Sequence, residues 1–319
     1  MIGAASRCLS PGLLLLALAG CSTDRLLEAA AAQPRVEIEG APYFSQRDHQ
    51  CGPAALATLL GAAGESIAPD VLTREVYIPG RQGSVQAEML AATRRHGRVA
   101  LELEHTLPAM LQELERGRPV LVLQNFGLPA LPLWHYAVVV GYDRGRDKLL
   151  LHGGDGRQQR LAARRFLGSW HRAGNWAFIA LRPGELPADT HAAPFLDAVA
   201  ALEALGQPEA AAASYQVAVA RWPSEPLAWF ALANSRLALG QYAEAEAAYR
   251  AVLHASPDHL PARNNLALLL ARRGCIEDAN AIIEPARAAA ARGPFAAEIA
   301  DSWREIQSLA APAPACQAQ

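Results

Sequence analysis

The chain carries no basic stripe, no CxxC pair and no His-rich spacing. Its 29 Lys and Arg residues against 31 Asp and Glu leave a formal net charge of −2. Binding a phosphate backbone needs a concentrated basic surface, so this balance weighs against nucleic acid as a partner. The missing Cys and His clusters give no zinc spacing, and no metal or other cofactor is implied. Gly83-Ser84-Val85-Gln86 reads as a turn and helix start, not as a phosphate loop. The leading apolar run, Leu13-Leu14-Leu15-Leu16-Ala17-Leu18, falls well short of the roughly 20 apolar residues a spanning helix requires. Cysteine is scarce: Cys8, Cys21, Cys51, Cys275 and Cys316 make no convincing disulfide framework. What is present is bulk, since 51% of the 319 residues are hydrophobic, enough for a packed core and for two domains.

Arg7 followed by that short apolar run fits the start of a secretory signal. The run ends in Leu18-Ala19-Gly20-Cys21, which resembles a bacterial lipobox. The resemblance implies that Cys21 is acylated and becomes the new N-terminus. Ser22, where an inner-membrane protein would carry Asp, then implies a lipid anchor in the outer membrane, facing the periplasm. The plainer alternative is an ordinary signal peptide in which Cys21 is incidental. With Cys8 removed and Cys21 lipid-linked, Cys275 and Cys316 could pair, leaving Cys51 as the free thiol.

Beyond the signal (1–21), residues 22–34 are Ala-rich and read as a tether. A mixed segment, 35–183, alternates helix and strand patterns. Helical spacing covers 52–62, 85–96 and 107–114; apolar strand runs cover 120–123, 135–140, 149–151 and 176–181. A helix group followed by an antiparallel meander is an α+β plan. Pro183-Gly184 opens a linker over 184–191, and Ala-rich helical sequence follows.

That second half repeats. Pro226, Trp229, Leu232, Ala233, Gly240, Tyr242, Ala245, Tyr249 and Pro257 recur one period earlier as Phe195, Ala198, Gly206, Ala211, Tyr215 and Pro223. One period later they recur as Leu266, Ala267, Gly274 and Ala279, with the aromatics and closing proline lost. A period of about 34 residues with these types resembles the tetratricopeptide repeat. The expectation is three repeats over 192–293, a capping helix over 294–310 and a disordered tail over 311–319. Trp229, Tyr242 and Tyr249 fall at packing positions of that motif. Stacked helix pairs form a concave groove, which implies a protein partner.

Chemistry is expected at two distant runs. Cys51 lies in Gln46-Arg47-Asp48-His49-Gln50-Cys51-Gly52-Pro53-Ala54, just before a helix. His135 heads the strand run Trp134-His135-Tyr136-Ala137-Val138-Val139-Val140-Gly141-Tyr142. A thiol at a helix N-terminus, helped by an imidazolium, has its pKa lowered and attacks a carbonyl. His135 can take the thiol proton and return it to a leaving amine. The oxyanion needs preset donors, for which the Cys51 N–H and the Gln46 amide suit; Gln50 competes but adjoins Cys51 and reaches awkwardly. The bland reading of Cys51 is a small buried hydrophobe.

These residues resemble the C39-type cysteine peptidases, a papain-like group. The pattern is a Gln before Cys-Gly-Pro-Ala, then a His heading an apolar strand that closes in Gly-Tyr-Asp, here Gln46, Cys51 to Ala54 and His135 to Asp143. The resemblance implies an α+β papain-like cysteine peptidase domain followed by an all-α tetratricopeptide-repeat solenoid. It further implies cleavage of a peptide or isopeptide bond through a Cys–His thioester mechanism, with peptide or protein as substrate. The family's third member is an Asp, usually in Asp-Pro, after the next strand. Here that strand ends His152-Gly153-Gly154-Asp155, with no Asp-Pro. Asp155, His152 and Asn175 stay open for the role, as does its absence. Two other outcomes stay open too: a non-catalytic peptide-binding or assembly lipoprotein, and a cell-wall peptide hydrolase.

Overall fold

The computed structural model describes residues 25–45, 50–153, 156–290 and 293–309. Cys21, Gln46, Asp155 and Cys316 fall outside the described residues. The first element is a short helix, α1 (Leu26–Ala30), inside the segment expected to be a tether. Leu27 is fully buried, and its N–H donates to Asp147 Oδ1 at 3.0 Å. One leucine and two carboxylates, Asp147 and Glu115, which accepts the Ala32 and Gln33 N–H groups, thus dock a stretch whose alanines show no period.

Strand β1 (Arg35–Glu37) and the long helix α2 (Cys51–Ala62) follow. Next come α3 (Pro69–Val76), a small ribbon of β2 (Tyr77–Ile78) and β3 (Gly83–Ser84), and α4 (Gln86–Arg95). The sheet is built from β4 (Val99–Glu102), then β5 (Val120–Asn125) and β6 (Trp134–Asp143) after helix α5 (Leu107–Glu115). It is completed by β7 (Lys148–Gly153), β8 (Gly156–Ala162) and, after α6 (Ala163–His171), β9 (Ala177–Leu181). Its order is β4-β9-β5-β6-β7-β8, every pairing antiparallel, with β1 added along the C-terminal end of β6.

Helices cover both faces, which is why β5 and β6 read as unbroken apolar runs rather than alternating ones. Strand periodicity still assigns the faces. Leu121, Leu123, Tyr136, Val138 and Val140 share a core with α2 and α4. Val120, Val122, Ala137 and Val139 share the other core with α5 and α6. Helix α2 is buried on every side from Gly52 to Leu60, and such all-round burial explains its lack of a polar face.

The second half is a run of helix pairs: α7 (Ala192–Glu203) with α8 (Pro208–Arg221), α9 (Pro226–Ala238) with α10 (Tyr242–Ala255), and α11 (Leu260–Arg272) with α12 (Ile276–Ala290). Helix α13 (Ala296–Leu309) packs last. Between the helices of each pair stands a glycine in the left-handed region: Gly206 (φ 75°), Gly240 (φ 71°) and Gly274 (φ 82°). A side chain there would be strained, so the periodic glycine is conformational. Tyr249 is buried and Trp229 half-buried, but Tyr242, expected to pack, is exposed at the first turn of α10. Cys275 is disulfide-bonded, and Cys51 is a free thiol.

The two halves share one core. Phe195, Leu196 and Val199 of α7 join the sheet face formed with α5 and α6. The segment between them is pinned: the Ala188 N–H donates to Glu113 Oε1 at 2.6 Å, and the Gly184 N–H to Ser214 Oγ. Among the described residues no helix is long and apolar enough to cross a membrane.

Candidate active site

Cys51 is the first residue of α2, and the first helical hydrogen bond runs from the Ala54 N–H to the Gln50 carbonyl. Pro53 stands in the first turn, where its missing N–H would have had no helical partner anyway. Gln50 puts no side-chain cap on the helix. The Cys51 and Gly52 N–H groups stabilise the thiolate, and the backbone N–H of Tyr136 does so more strongly than either. The sulfur of α2 therefore meets β6 at the residue that follows His135.

The motif's glycine has a steric cause. A Cβ at Gly52 would stand 2.4 Å from Ser84 Oγ and 2.8 Å from Ser84 Cβ. Ser84 belongs to β3, and its carbonyl accepts the Tyr136 hydroxyl at 3.3 Å. Tyr136 and the thiol sense each other: burial first, and then charge on Cys51, push the phenol far above its ordinary value.

His135, the second residue of β6, is half-buried. Its Nε2 edge faces Gly153, where a Cβ would lie 3.3 Å from Nε2 and 3.1 Å from Ala137 Cβ. The Phe126 ring lies 5.7 Å from the imidazole. Gln124, its cross-strand neighbour, is engaged elsewhere through Nε2 to Ser169 Oγ at 2.7 Å. Among the described residues no hydrogen bond joins Cys51 to His135.

Electrostatics depart from expectation. Burial pushes the Cys51 thiol above its ordinary value, and the three backbone donors only oppose this. Burial likewise holds His135 below the usual imidazole value. The helix terminus and imidazolium were expected to lower the thiol; desolvation of the charged form outweighs them here. Both shifts disfavour the charged forms of the pair.

Of the residues open for the third role, His152 pairs with Val138 and shares its face, the one opposite Ala137. Its Nδ1 lies 3.3 Å from the Pro42 carbonyl and its ring packs edge-on against Tyr43. Asn175 donates to the His105 carbonyl from the turn before β9. Asp155 follows Gly153, the residue against Nε2, by two positions. Sequence reasoning missed Tyr136, Ser84 and Gly153, which act through a backbone amide, a packing contact and the absence of a side chain. Only Tyr136 had a local signal, its place next to His135. Among the described residues no group of three or more His, Cys, Asp and Glu could hold a metal ion.

Comparison with known proteins agrees with this architecture. Residues 38–178 match the family model described as the Peptidase_C39 like family, and residues 196–259 and 236–297 match tetratricopeptide repeat models. The N-terminal part thus resembles the C39-like family in sequence, and the helical C-terminal part resembles tetratricopeptide repeats. No curated protein matches the chain. Among solved structures, a C39-like peptidase from Bacillus anthracis is similar at 15% identity and a TM-score of 0.40, covering 47% of this chain and 98% of that one. The peptidase domain of Streptococcus ComA, a bifunctional ABC transporter, is similar at 20% identity and a TM-score of 0.37, over 44% and 98%. The TPR2B domain of yeast Sti1 is similar at 18% and 0.33, over 34% and 90%.

Proposed function

We propose that this chain is an exported cysteine peptidase, lipid-anchored through Cys21 in the outer membrane and facing the periplasm, whose repeats recruit a protein partner or substrate. The observation that carries the reading is the Tyr136 N–H on the Cys51 sulfur, which brings a helix-start thiol to the residue beside His135. Cys51 Sγ attacks a peptide or isopeptide carbonyl carbon as its proton passes to His135. The carbonyl electrons move onto oxygen, held by the Cys51 N–H and the Gln46 amide. Collapse breaks the C–N bond, and the imidazolium returns its proton to the leaving amine. Water, giving its proton to His135, then cleaves the thioester and frees the thiol. Gly153 beside Nε2 supports Asp155, two residues on, as the group that orients the ring.

One feature favours a second reading, a non-catalytic peptide-binding lipoprotein: burial disfavours the charged forms of both Cys51 and His135, and among the described residues no hydrogen bond joins them. Iodoacetamide labelling of Cys51 in the full chain, from pH 6 to 10, separates the two. The peptidase reading expects labelling near pH 7.5 to slow in His135→Ala. Equal rates in both proteins would leave the binding module.

A further inference from the structure

We propose that the hairpin joining β5 to β6, residues 126–134, is a substrate-binding arm that takes the apolar side chains of a peptide lying across Cys51 and His135. The proposal rests on the peptidase reading above. Its first support is exposure that burial cannot explain: Leu128 is 67% exposed, Leu131 76%, Leu133 64% and Trp134 51%. No residue from 126 to 134 is charged. Contiguous exposed apolar side chains of this kind mark interaction sites.

The second support is that the arm is built, not loose. Asn125, itself buried, accepts the Gly127 and Leu133 N–H groups on one Oδ1, each at 2.9 Å. The Phe126 N–H donates to the Leu133 carbonyl, and Leu128 and Leu131 exchange both backbone hydrogen bonds at 3.1 Å. Gly127 is required, because a Cβ there would stand 2.2 Å from the Leu131 carbonyl oxygen. Pro129 at the second position of the tip turn fixes its φ. The arm therefore presents its side chains pre-organised, which lowers the entropic cost of binding.

The third support is continuity with the site. Gln124 pairs with His135, and the pattern extends through Phe126 opposite Leu133 and Leu128 opposite Leu131. Opposed residues share a face and alternate residues keep it, so the apolar pairs and His135 line one face, that of Ala137; α2 packs on the other, and its first residue, Cys51, meets the edge of β6 at the Tyr136 amide. A lipid bilayer is the competing occupant. The arm has no cation for anionic headgroups.

The test is inactivation of the full chain by peptide chloromethyl ketones bearing Leu, Phe or Glu next to the reactive carbon. Cys51 displaces chloride, and intact mass reads the adduct. Wild type is expected to react on the order of 10-fold faster with the apolar probes than with the Glu probe. Leu128→Ser/Leu131→Ser should lose that preference while iodoacetamide labels both proteins equally, which confirms the fold. Wild type without apolar preference, or a variant that keeps it, overturns the proposal. Sedimentation of wild type but not the variant with phosphatidylcholine vesicles, without probe preference, overturns it in favour of a lipid-seeking arm. If iodoacetamide labelling ignores His135→Ala, the peptidase reading itself fails; the probe preference is read independently.

Discussion

Gly52→Ala puts one methyl group where two elements of the site touch. The added Cβ would lie 2.4 Å from Ser84 Oγ, 2.8 Å from Ser84 Cβ and 3.6 Å from Met89 Sδ. Rotating the hydroxyl relieves the first contact but not the second, so β3 must move. Overpacking of this size costs about 1–3 kcal/mol. The helix gains at most about 1 kcal/mol from replacing glycine with alanine. The expected net loss is about 1–2 kcal/mol. Ser84→Gly removes both offending atoms, and with them a buried hydroxyl that has no partner among the described residues. In that background Gly52→Ala should be neutral or stabilising, so the two positions couple by about 1–3 kcal/mol. Urea unfolding of wild type, both single variants and the double variant gives the cycle. If Gly52→Ala is as stable as wild type, or its penalty survives in Ser84→Gly, then steric contact with β3 is not why glycine follows the cysteine.

Gly153→Val should displace the His135 ring and slow iodoacetamide labelling of Cys51 near pH 7.5 by about 10-fold, with the labelling rate as the check; an unchanged rate would place the ring elsewhere. Glu113→Ala removes the carboxylate that meets Arg118 Nε at 2.6 Å and also holds the Ala188 N–H. It should cost about 3 kcal/mol, because a largely buried guanidinium loses its partner, as thermal unfolding would show. Stability should fall on both sides of neutrality. His135, depressed by burial, costs stability as pH drops below the ordinary imidazole range, where only the unfolded chain takes up the proton. Cys51, raised by burial, costs stability as pH climbs through the ordinary thiol range, where only the unfolded chain loses it. In Cys51→Ala the alkaline limb should flatten, and an unaltered limb would contradict the shift.

Much of the architecture could be read because its signals are local. An apolar helix opened by Gly52-Pro53, the runs at β5, β6 and β7, and the glycine period of the repeats each declare themselves within one element. Strand β8 escaped because much of it is exposed polar sequence, ordered by pairing with β7. Helix α1 escaped because Leu27 docks on residues more than a hundred positions away. The same division runs through the site. Cys51 and His135 stand in recognisable runs, whereas the Tyr136 amide, the Ser84 contact and the Gly153 gap exist only once α2 lies on the sheet. The direction of the Cys51 shift departs from the expectation for the same reason. A helix terminus is visible in sequence, but the depth at which a sulfur sits is not.

That depth has a chemical consequence. The thiolate is the form that reacts with oxidants and alkylating agents, and the fold disfavours it at rest. The backbone amides of Cys51, Gly52 and Tyr136 are nevertheless aimed at the sulfur, so stabilisation of charge is preset but insufficient alone. On the proposed peptidase reading a bound carbonyl would change the balance, because attack would move the charge from sulfur to an oxygen with donors of its own while His135 accepted the proton. Reactivity would then depend on substrate, which would suit the exported enzyme proposed above. Hydrogen peroxide at pH 7 provides the measurement. Cys51 should oxidise more slowly than free cysteine, and Tyr136→Phe should leave that rate nearly unchanged, because the backbone amide, not the phenol, holds the sulfur. Oxidation as fast as that of free cysteine would mean that the thiolate is already populated and that burial does not govern this site.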